Sequence, residues 1–311
     1  MLKLFAAAVA ALLVAGPAVA QDKGAAAPAA KVKVLATFSI LADLVRNVGG
    51  DRVEVAMLVG PNADSHVYSP APADARKVAD AGLVVANGLG FEGWIDRLVK
   101  SSGSKAPVVV ASNGVKPRTA GGHSHGHKHG HSHDHGETDP HAWQSVPNVK
   151  IYVGNIRDAL IATDPDGKAA YEANATGYLA RLDALDKEVR DTVARMPKEA
   201  RRVITNHDAF GYFAAGYGLQ FIASHGVSTD AQPSARDVAR IIGQMRKEKV
   251  RAVFLENVSD GRLLKQIADE TGAKIGGTLY SDALTGPDGP APTYIDLIRH
   301  NIRTLSAALT G

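Results

Sequence analysis

Strand-like and helix-like segments alternate twice along this chain, and one long helical stripe separates the two runs. That alternation constrains the fold more than any other feature. Strands that rejoin one another through helices lie parallel, with the helices covering the sheet. In the first run, Val32–Phe38, Val53–Val59, Leu83–Ala86 and residues 108–111 read as strands, and residues 40–48, 72–81 and 91–99 as helices. In the second, residues 203–205, 221–223, 252–255 and 275–279 read as strands, and residues 209–217, 235–247, Arg262–Thr271 and 293–308 as helices. Between the runs, Tyr171, Ala175, Tyr178, Leu182, Leu185, Val189, Val193 and Met196 recur by threes and fours, which makes one apolar helix face. A helix over residues 166–195 would be about 45 Å long. The stripe covers only about four heptads and is partly alanine, which favours a rigid helix packed on two lobes over a coiled coil. The predicted fold is α/β: two similar α/β lobes with parallel sheets, residues 32–165 and 199–311, joined by one long rigid helix within residues 166–198.

The N-terminus reads as an export signal. Met1-Leu2-Lys3 is a short basic start, residues 4–15 are apolar, and Ala18-Val19-Ala20 is a small-residue cleavage site. Residues 1–20 are therefore expected to be a cleaved signal peptide, followed by a flexible leader over residues 21–31. The apolar run is shorter than the roughly 20 residues of a bilayer-spanning helix. A periplasmic location is expected. The chain has no cysteine to carry a lipid anchor, a disulfide or a thiolate zinc site. It must hold together by its apolar core, and about 290 residues suffice for two domains of ordinary size. The formal charge is only +3, with basic and acidic residues interleaved, which argues against a nucleic-acid partner.

Twelve histidines carry the chemistry. Seven lie at every second position, His123, His125, His127, His129, His131, His133 and His135, within residues 121–136. Their spacers are polar or glycine, so this segment is expected to be a disordered surface loop. Alternating neutral imidazoles suit weak, exchangeable collection of Zn²⁺, Cu²⁺ or Ni²⁺. Three other histidines sit in ordered-looking contexts. His66 follows the strand ending at Val59, His207 follows the strand ending at Thr205, and His141 lies in Asp139-Pro140-His141-Ala142-Trp143 before a helix. Asp282 follows the strand ending at Leu279. Open α/β sheets bind ligands at the carboxyl ends of their strands. Two candidates from each lobe suggest one ion held in the cleft between lobes, and three histidines with one carboxylate suit tetrahedral Zn²⁺. Asp64, Asp139 and Asp208 adjoin these histidines; they could orient the rings or cap helices. Glu256 also follows a strand and could face the cleft, but it is not counted as a ligand, and neither are His225 and His300.

At these residues the chain resembles the cluster A-I (cluster 9) metal-binding receptors of ABC transporters, of the ZnuA, AztC and TroA type. The resemblance is carried in order by Gly60-Pro61-Asn62-Ala63-Asp64-Ser65-His66-Val67-Tyr68, Asp139-Pro140-His141-Ala142-Trp143, His207-Asp208-Ala209-Phe210-Gly211-Tyr212-Phe213 and Tyr280-Ser281-Asp282. It runs from about Val32 to the C-terminus. It implies two α/β lobes, a linking helix, and metal ligands at His66, His141, His207 and Asp282. It also implies that a histidine at the third position, as in His207, goes with zinc, and a glutamate there with manganese. Ser65 departs from the commoner Asp-Pro-His form, and Asp282 beside three histidines is closer to the AztC type. The implied partner is an ABC permease in the inner membrane, with a periplasmic metallochaperone as a further candidate, and a monomer is expected.

Other functions are weighed against this one. A manganese receptor of the same family and a periplasmic zinc buffer or metallochaperone share most of these features. A zinc hydrolase would need three protein ligands, an open position and a nearby base. Asp208 or Glu256 could serve as that base, but no His-Glu-x-x-His pair or Gly-x-Ser-x-Gly elbow occurs. Gly88-Leu89-Gly90-Phe91-Glu92-Gly93 matches a dinucleotide-binding pattern but lacks the acid expected about 20 residues later, and it reads as a tight turn. No enzymatic activity is therefore expected.

Overall fold

The computed structural model describes residues 30–120, 138–230, 234–248, 250 and 252–310. The signal-peptide segment, all but the end of the leader and the His-rich segment lie outside the described residues.

The first lobe is built from β1 (Val32–Phe38), α1 (Ser39–Gly49), β2 (Val53–Val59), α2 (Pro72–Asp80), β3 (Leu83–Ala86), α3 (Ile95–Ser102) and β4 (Val108–Val110). Its strands are all parallel, in the order β2-β1-β3-β4. Burial follows that order. The central strand β3 is buried at all four residues and β1 at its last five, whereas the edge strands β2 and β4 are partly exposed. Apolar runs without alternation are what strands covered on both faces require.

After β4 the chain forms α4 (Val146–Thr163) and then α5 (Lys168–Arg195), the 28-residue linking helix. Its buried face is Tyr171, Ala175, Tyr178, Leu182, Leu185, Val189 and Val193, the stripe expected from the sequence. It packs against α1 and α4. Its N-terminal end is fixed by Arg52, whose guanidinium donates twice to Asp164 at 2.8 and 3.0 Å, and by Tyr171, whose hydroxyl donates to the same carboxylate at 2.7 Å.

The second lobe contains β5 (Arg202–Thr205), α6 (Gly211–Tyr217), β6 (Gln220–Ala223), α7 (Ala235–Glu248), β7 (Ala252–Glu256), α8 (Arg262–Thr271), β8 (Lys274–Leu279) and α9 (Tyr294–Thr310). Its parallel order, β6-β5-β7-β8, repeats that of the first lobe. In each lobe the connections diverge between the two central strands. That divergence opens a crevice at the carboxyl ends of β1 and β3, and another at those of β5 and β7. α9 returns to the first lobe: the Tyr294 amide donates to Asp43 of α1 at 2.9 Å, and its hydroxyl donates to the Trp143 carbonyl at 2.8 Å. α5 is the one long helix that links the lobes, and α9 packs back on the first lobe beside it.

Three helix starts differ from the sequence expectation. α3 begins at Ile95, not at residue 91, because Gly88, Leu89 and Gly90 all have positive φ (83°, 56° and 83°) and make a tight turn. The buried Glu92 carboxylate anchors that turn by accepting from the Asn87 and Gly88 amides at 2.7 and 3.1 Å. α5 starts after the 3₁₀ turn Pro165–Gly167, and α6 starts at Gly211 after the loop that carries His207. No helix among the described residues is long and apolar enough to cross a membrane.

Candidate metal centre

Each of four loops presents one side chain to a common point. The loop after β2 carries His66. Asp64 shapes it: one carboxylate oxygen accepts from the His66 amide at 2.9 Å, closing an Asx turn, and the other accepts from Thr229 of the second lobe at 2.6 Å. His141 lies just before a 3₁₀ turn, Ala142–Gln144. Asp139 Oδ1 accepts from its backbone amide at 3.0 Å and stands 2.9 Å from its Nδ1. Asn87 fixes this loop from below by donating to the Pro140 carbonyl at 3.0 Å, while accepting from Tyr152 at 2.6 Å.

His207 lies two residues past β5. Glu256, the last residue of β7, accepts from its backbone amide at 2.9 Å and makes a close ion-pair contact with its Nδ1. Asp282 follows β8 in a loop held by the first lobe. Trp143 Nε1 and Gln144 Nε2 both donate to the Ser281 carbonyl, at 2.9 and 2.7 Å.

One candidate ligand atom from each of His66, His141, His207 and Asp282 lies within 4.8 Å of the others. The Nε2 atoms of His66 and His141 are 3.2 Å apart. Asp282 Oδ2 lies 3.0 Å from His207 Nε2 and 3.3 Å from His66 Nε2, and Asp282 Oδ1 lies 3.6 Å from His141 Nε2. Metal–ligand bonds of about 2.0–2.2 Å in a tetrahedron place neighbouring ligand atoms about 3.3–3.6 Å apart. The donor set suits a four-coordinate ion, and four of the six pairs of side chains, at 3.0–3.6 Å, lie near that spacing. Asp282 Oδ1 is buried and accepts no hydrogen bond, as a ligand oxygen would.

The surroundings are largely buried. His141, His207 and Asp282 are fully buried, and His66 is half-buried. Phe91 meets the His66 ring edge-on at 4.9 Å, and Trp143 lies against His141 at 5.2 Å. Burial alone would lower the His207 pKa, but the Glu256 and Asp282 carboxylates outweigh it and hold that pKa well above the ordinary histidine value. Burial would likewise raise Asp282, but His207 and His141 outweigh it and hold the carboxyl well below the usual range. Two cavities reach the cluster from outside. One of about 580 Å³ is lined by Asp64, Val67, His207 and His225; the other, of about 770 Å³, by His66, Phe91 and Pro140.

The structure thus brings together the four side chains singled out in the sequence. Of the flanking acids, Asp139 meets a ring nitrogen, whereas Asp64 holds the backbone of its histidine and bridges to Thr229. Asp208 is tied through its amide to the Gly226 carbonyl at 3.0 Å. The acid beside the His207 ring nitrogen is Glu256. Its position at a strand end left it able to face the cleft, but only the pairing of β5 with β7 shows which ring it meets. His300 lies on α9 against Thr278, away from the cluster. The His-rich segment falls outside the described residues, but its flanks meet at an isolated antiparallel bridge between Thr119 and Thr138, next to Asp139.

Two α/β lobes closing on a buried cluster of three histidines and one carboxylate define a cleft-type metal-binding protein. Residues 34–308 match the family described as zinc-uptake complex component A, periplasmic. The chain belongs to this family of substrate-binding components of metal ABC transporters. It is 34% identical over 278 residues to the iron-binding protein YfeA of Yersinia pestis, covering 89% of this chain and 86% of that one. It is 32% identical over 298 residues to the manganese-binding lipoprotein MntA of Halalkalibacterium halodurans, covering 96% and 95%. The periplasmic zinc-binding protein TroA of Treponema pallidum has the same fold, with a TM-score of 0.81 at 28% identity over 90% of this chain and 99% of that one.

Proposed function

We propose that the chain is a periplasmic receptor that captures Zn²⁺ in the inter-lobe cleft and delivers it to an ABC permease in the inner membrane. His66, His141, His207 and Asp282 are its ligands. The observation that carries this assignment is the donor set: three imidazole nitrogens and one carboxylate oxygen gathered within 4.8 Å of one another. Borderline-soft nitrogen donors favour Zn²⁺ over the harder Mn²⁺, which prefers oxygen. Residues 1–20 direct export and are removed. The His-rich segment collects metal weakly, and residues 32–165 and 199–311 act as the two lobes, joined by the helix within 166–198. The protein works as a monomer, and its task is binding rather than catalysis.

Manganese or iron is the competing cargo, favoured by the names of the relatives YfeA and MntA. Competition titration of the purified chain separates these readings. Zn²⁺ is expected to displace Mn²⁺ and Fe²⁺ from one tight site, and displacement of Zn²⁺ by equimolar Mn²⁺ would refute the zinc assignment. Delivery is tested by adding the loaded chain to its reconstituted permease. Failure to stimulate ATP hydrolysis or zinc uptake would leave a buffer in place of a receptor.

A further inference from the structure

We propose that Glu256 is a positioning residue of the metal site, which fixes His207 as an Nε2 ligand. The proposal rests on the reading of His207 as a metal ligand. Glu256 ends β7 with its side chain wholly buried. A carboxylate removed from water must be paired and hydrogen-bonded, and both oxygens of this one serve a single residue. Oε1 accepts from the His207 amide at 2.9 Å, and Oε2 meets His207 Nδ1.

The arrangement is set by the sheet. Ile204 of β5 pairs with Val253 of β7. The Glu256 amide in turn donates to Asn206 Oδ1 at 3.1 Å, so the ends of the two strands are tied beside the cleft. A neutral imidazole has one N–H and one lone pair, and the partner of the first decides where the second points. With Nδ1 in ion-pair contact with Glu256 Oε2, Nε2 is turned into the cluster, 3.0 Å from Asp282 Oδ2. Asp139 stands in the same relation to His141, so each lobe contributes one ring backed by a buried carboxylate. His66 differs: its ring nitrogen meets only members of the cluster, and its backing acid holds its amide. The strand-end acid therefore serves the ring by which the second lobe grips the ion.

The test compares Glu256→Gln, Glu256→Asp and His207→Ala in the full chain, with Zn²⁺ alone as the probe. Zinc affinity is measured by chelator competition, and the tautomer of the His207 ring by nitrogen-15 NMR. Loss of an outer partner of a metal-bound histidine costs about 10–100-fold in affinity, and Glu256→Gln is expected to fall in that range. A second His207 tautomer should appear in the zinc-free variant, which a purely packing role would not produce. Should Glu256→Gln fail to fold, Glu256→Asp carries the test, with a smaller loss and the same tautomer mixture expected. Wild-type affinity and a single tautomer in the Glu256 variant that folds, alongside loss of binding in His207→Ala, would overturn the role of Glu256 alone. Unchanged binding in His207→Ala would overturn the ligand assignment beneath it.

Discussion

The two lobes repeat one strand order but are not held in the same way. In the first lobe, the sheet, α1, α4 and α5 share one continuous core, which also takes in α9 and part of the second sheet. The second lobe has in addition a small core of its own, formed by Ile204, Ile222, Ile241, Ile242, Met245, Val253, Leu264, Ile267 and Ala268 between its sheet and α7 and α8. Its ligands divide along the same line. Asp282 sits on a loop bonded to Trp143 and Gln144 of the first lobe, whereas His207 rides on β5, backed by β7. Three of the four ligands thus lie on loops bonded to the first lobe. His207 follows β5, whose Ile204 belongs to the small core, while Ala209 and Phe210 just beyond it join the continuous one.

If His207 is the ligand through which the outer part of the second lobe grips the ion, its loss should be the most damaging change. Structural zinc sites bind with about 10–16 kcal/mol. Loss of one ligand in four is therefore expected to weaken binding on the order of 1000-fold. Chelator competition on His207→Ala measures it, and circular dichroism should show the zinc-free fold intact. A loss below about tenfold would remove His207 from the ligand set.

The two cores can be compared by matched truncations. Leu185→Ala opens the continuous core and Ile267→Ala the small one; both side chains are fully buried. Each change should cost about 2–5 kcal/mol. The Leu185 variant is expected to lower the melting temperature of the whole chain. The Ile267 variant should instead speed amide exchange in α7, β7 and α8 while leaving β1 and β3 protected. Equal acceleration in both lobes would mean that the two cores melt as one.

Acid should separate binding from stability. The His207 pKa is held above its ordinary value, against burial, by Glu256 and Asp282, so protons compete with the ion for this ring more strongly than for a free histidine. Affinity should then fall by up to about tenfold for each unit that the pH drops below that raised pKa. For the zinc-free chain the sign is opposite. A raised histidine pKa contributes stability that is complete below about 6.5 and is lost as the pH rises through the folded value. The Asp282 pKa is lowered, so its contribution is present above the ordinary carboxylate range and is lost only as the pH falls through the depressed value. Mild acid should therefore empty the site before it unfolds the chain. Zinc retained at about pH 5, with no proton release on binding at pH 7, would contradict this.

Much of this contrast was legible in the sequence, and some of it was not. The alternation of strands and helices, and the stripe from Tyr171 to Val193, depend on local periodicity, so they could be read directly. His66, His207 and Asp282 were readable because each follows a strand, where α/β sheets place their ligands. What local pattern cannot supply is the partner. Glu256 was visible as a strand-end acid, but its contact with His207 depends on β5 lying beside β7. The bond from Asp43 to the Tyr294 amide, which ties α9 to the first lobe, spans most of the chain. The glycines of residues 88–93 read correctly as a tight turn, but the sequence starts the helix at residue 91, because the hold of Glu92 on the Asn87 and Gly88 amides leaves no local pattern to read.

The smallest expected effect tests the seam between the lobes. Asp64 joins the amide of His66 to the hydroxyl of Thr229, so one carboxylate couples a ligand loop of the first lobe to the second. Asn62 adds a second tie, its amide donating to the Leu284 carbonyl at 2.8 Å. Thr229→Val keeps the shape and removes the hydroxyl. A hydroxyl bond to a carboxylate contributes about 1.5 kcal/mol net at the low end, which corresponds to about tenfold in an equilibrium. Because the bond crosses the cleft mouth and touches no ligand atom, the change should appear in the zinc dissociation rate and leave metal preference unaltered. Stopped-flow release to a chelator measures the first, and Zn²⁺/Mn²⁺ competition the second. A faster release with unchanged preference would place Thr229 in the closure of the cleft. An altered preference would mean that the Asp64 contact reaches the geometry of His66 itself, and that the lobes are less separable than their cores suggest.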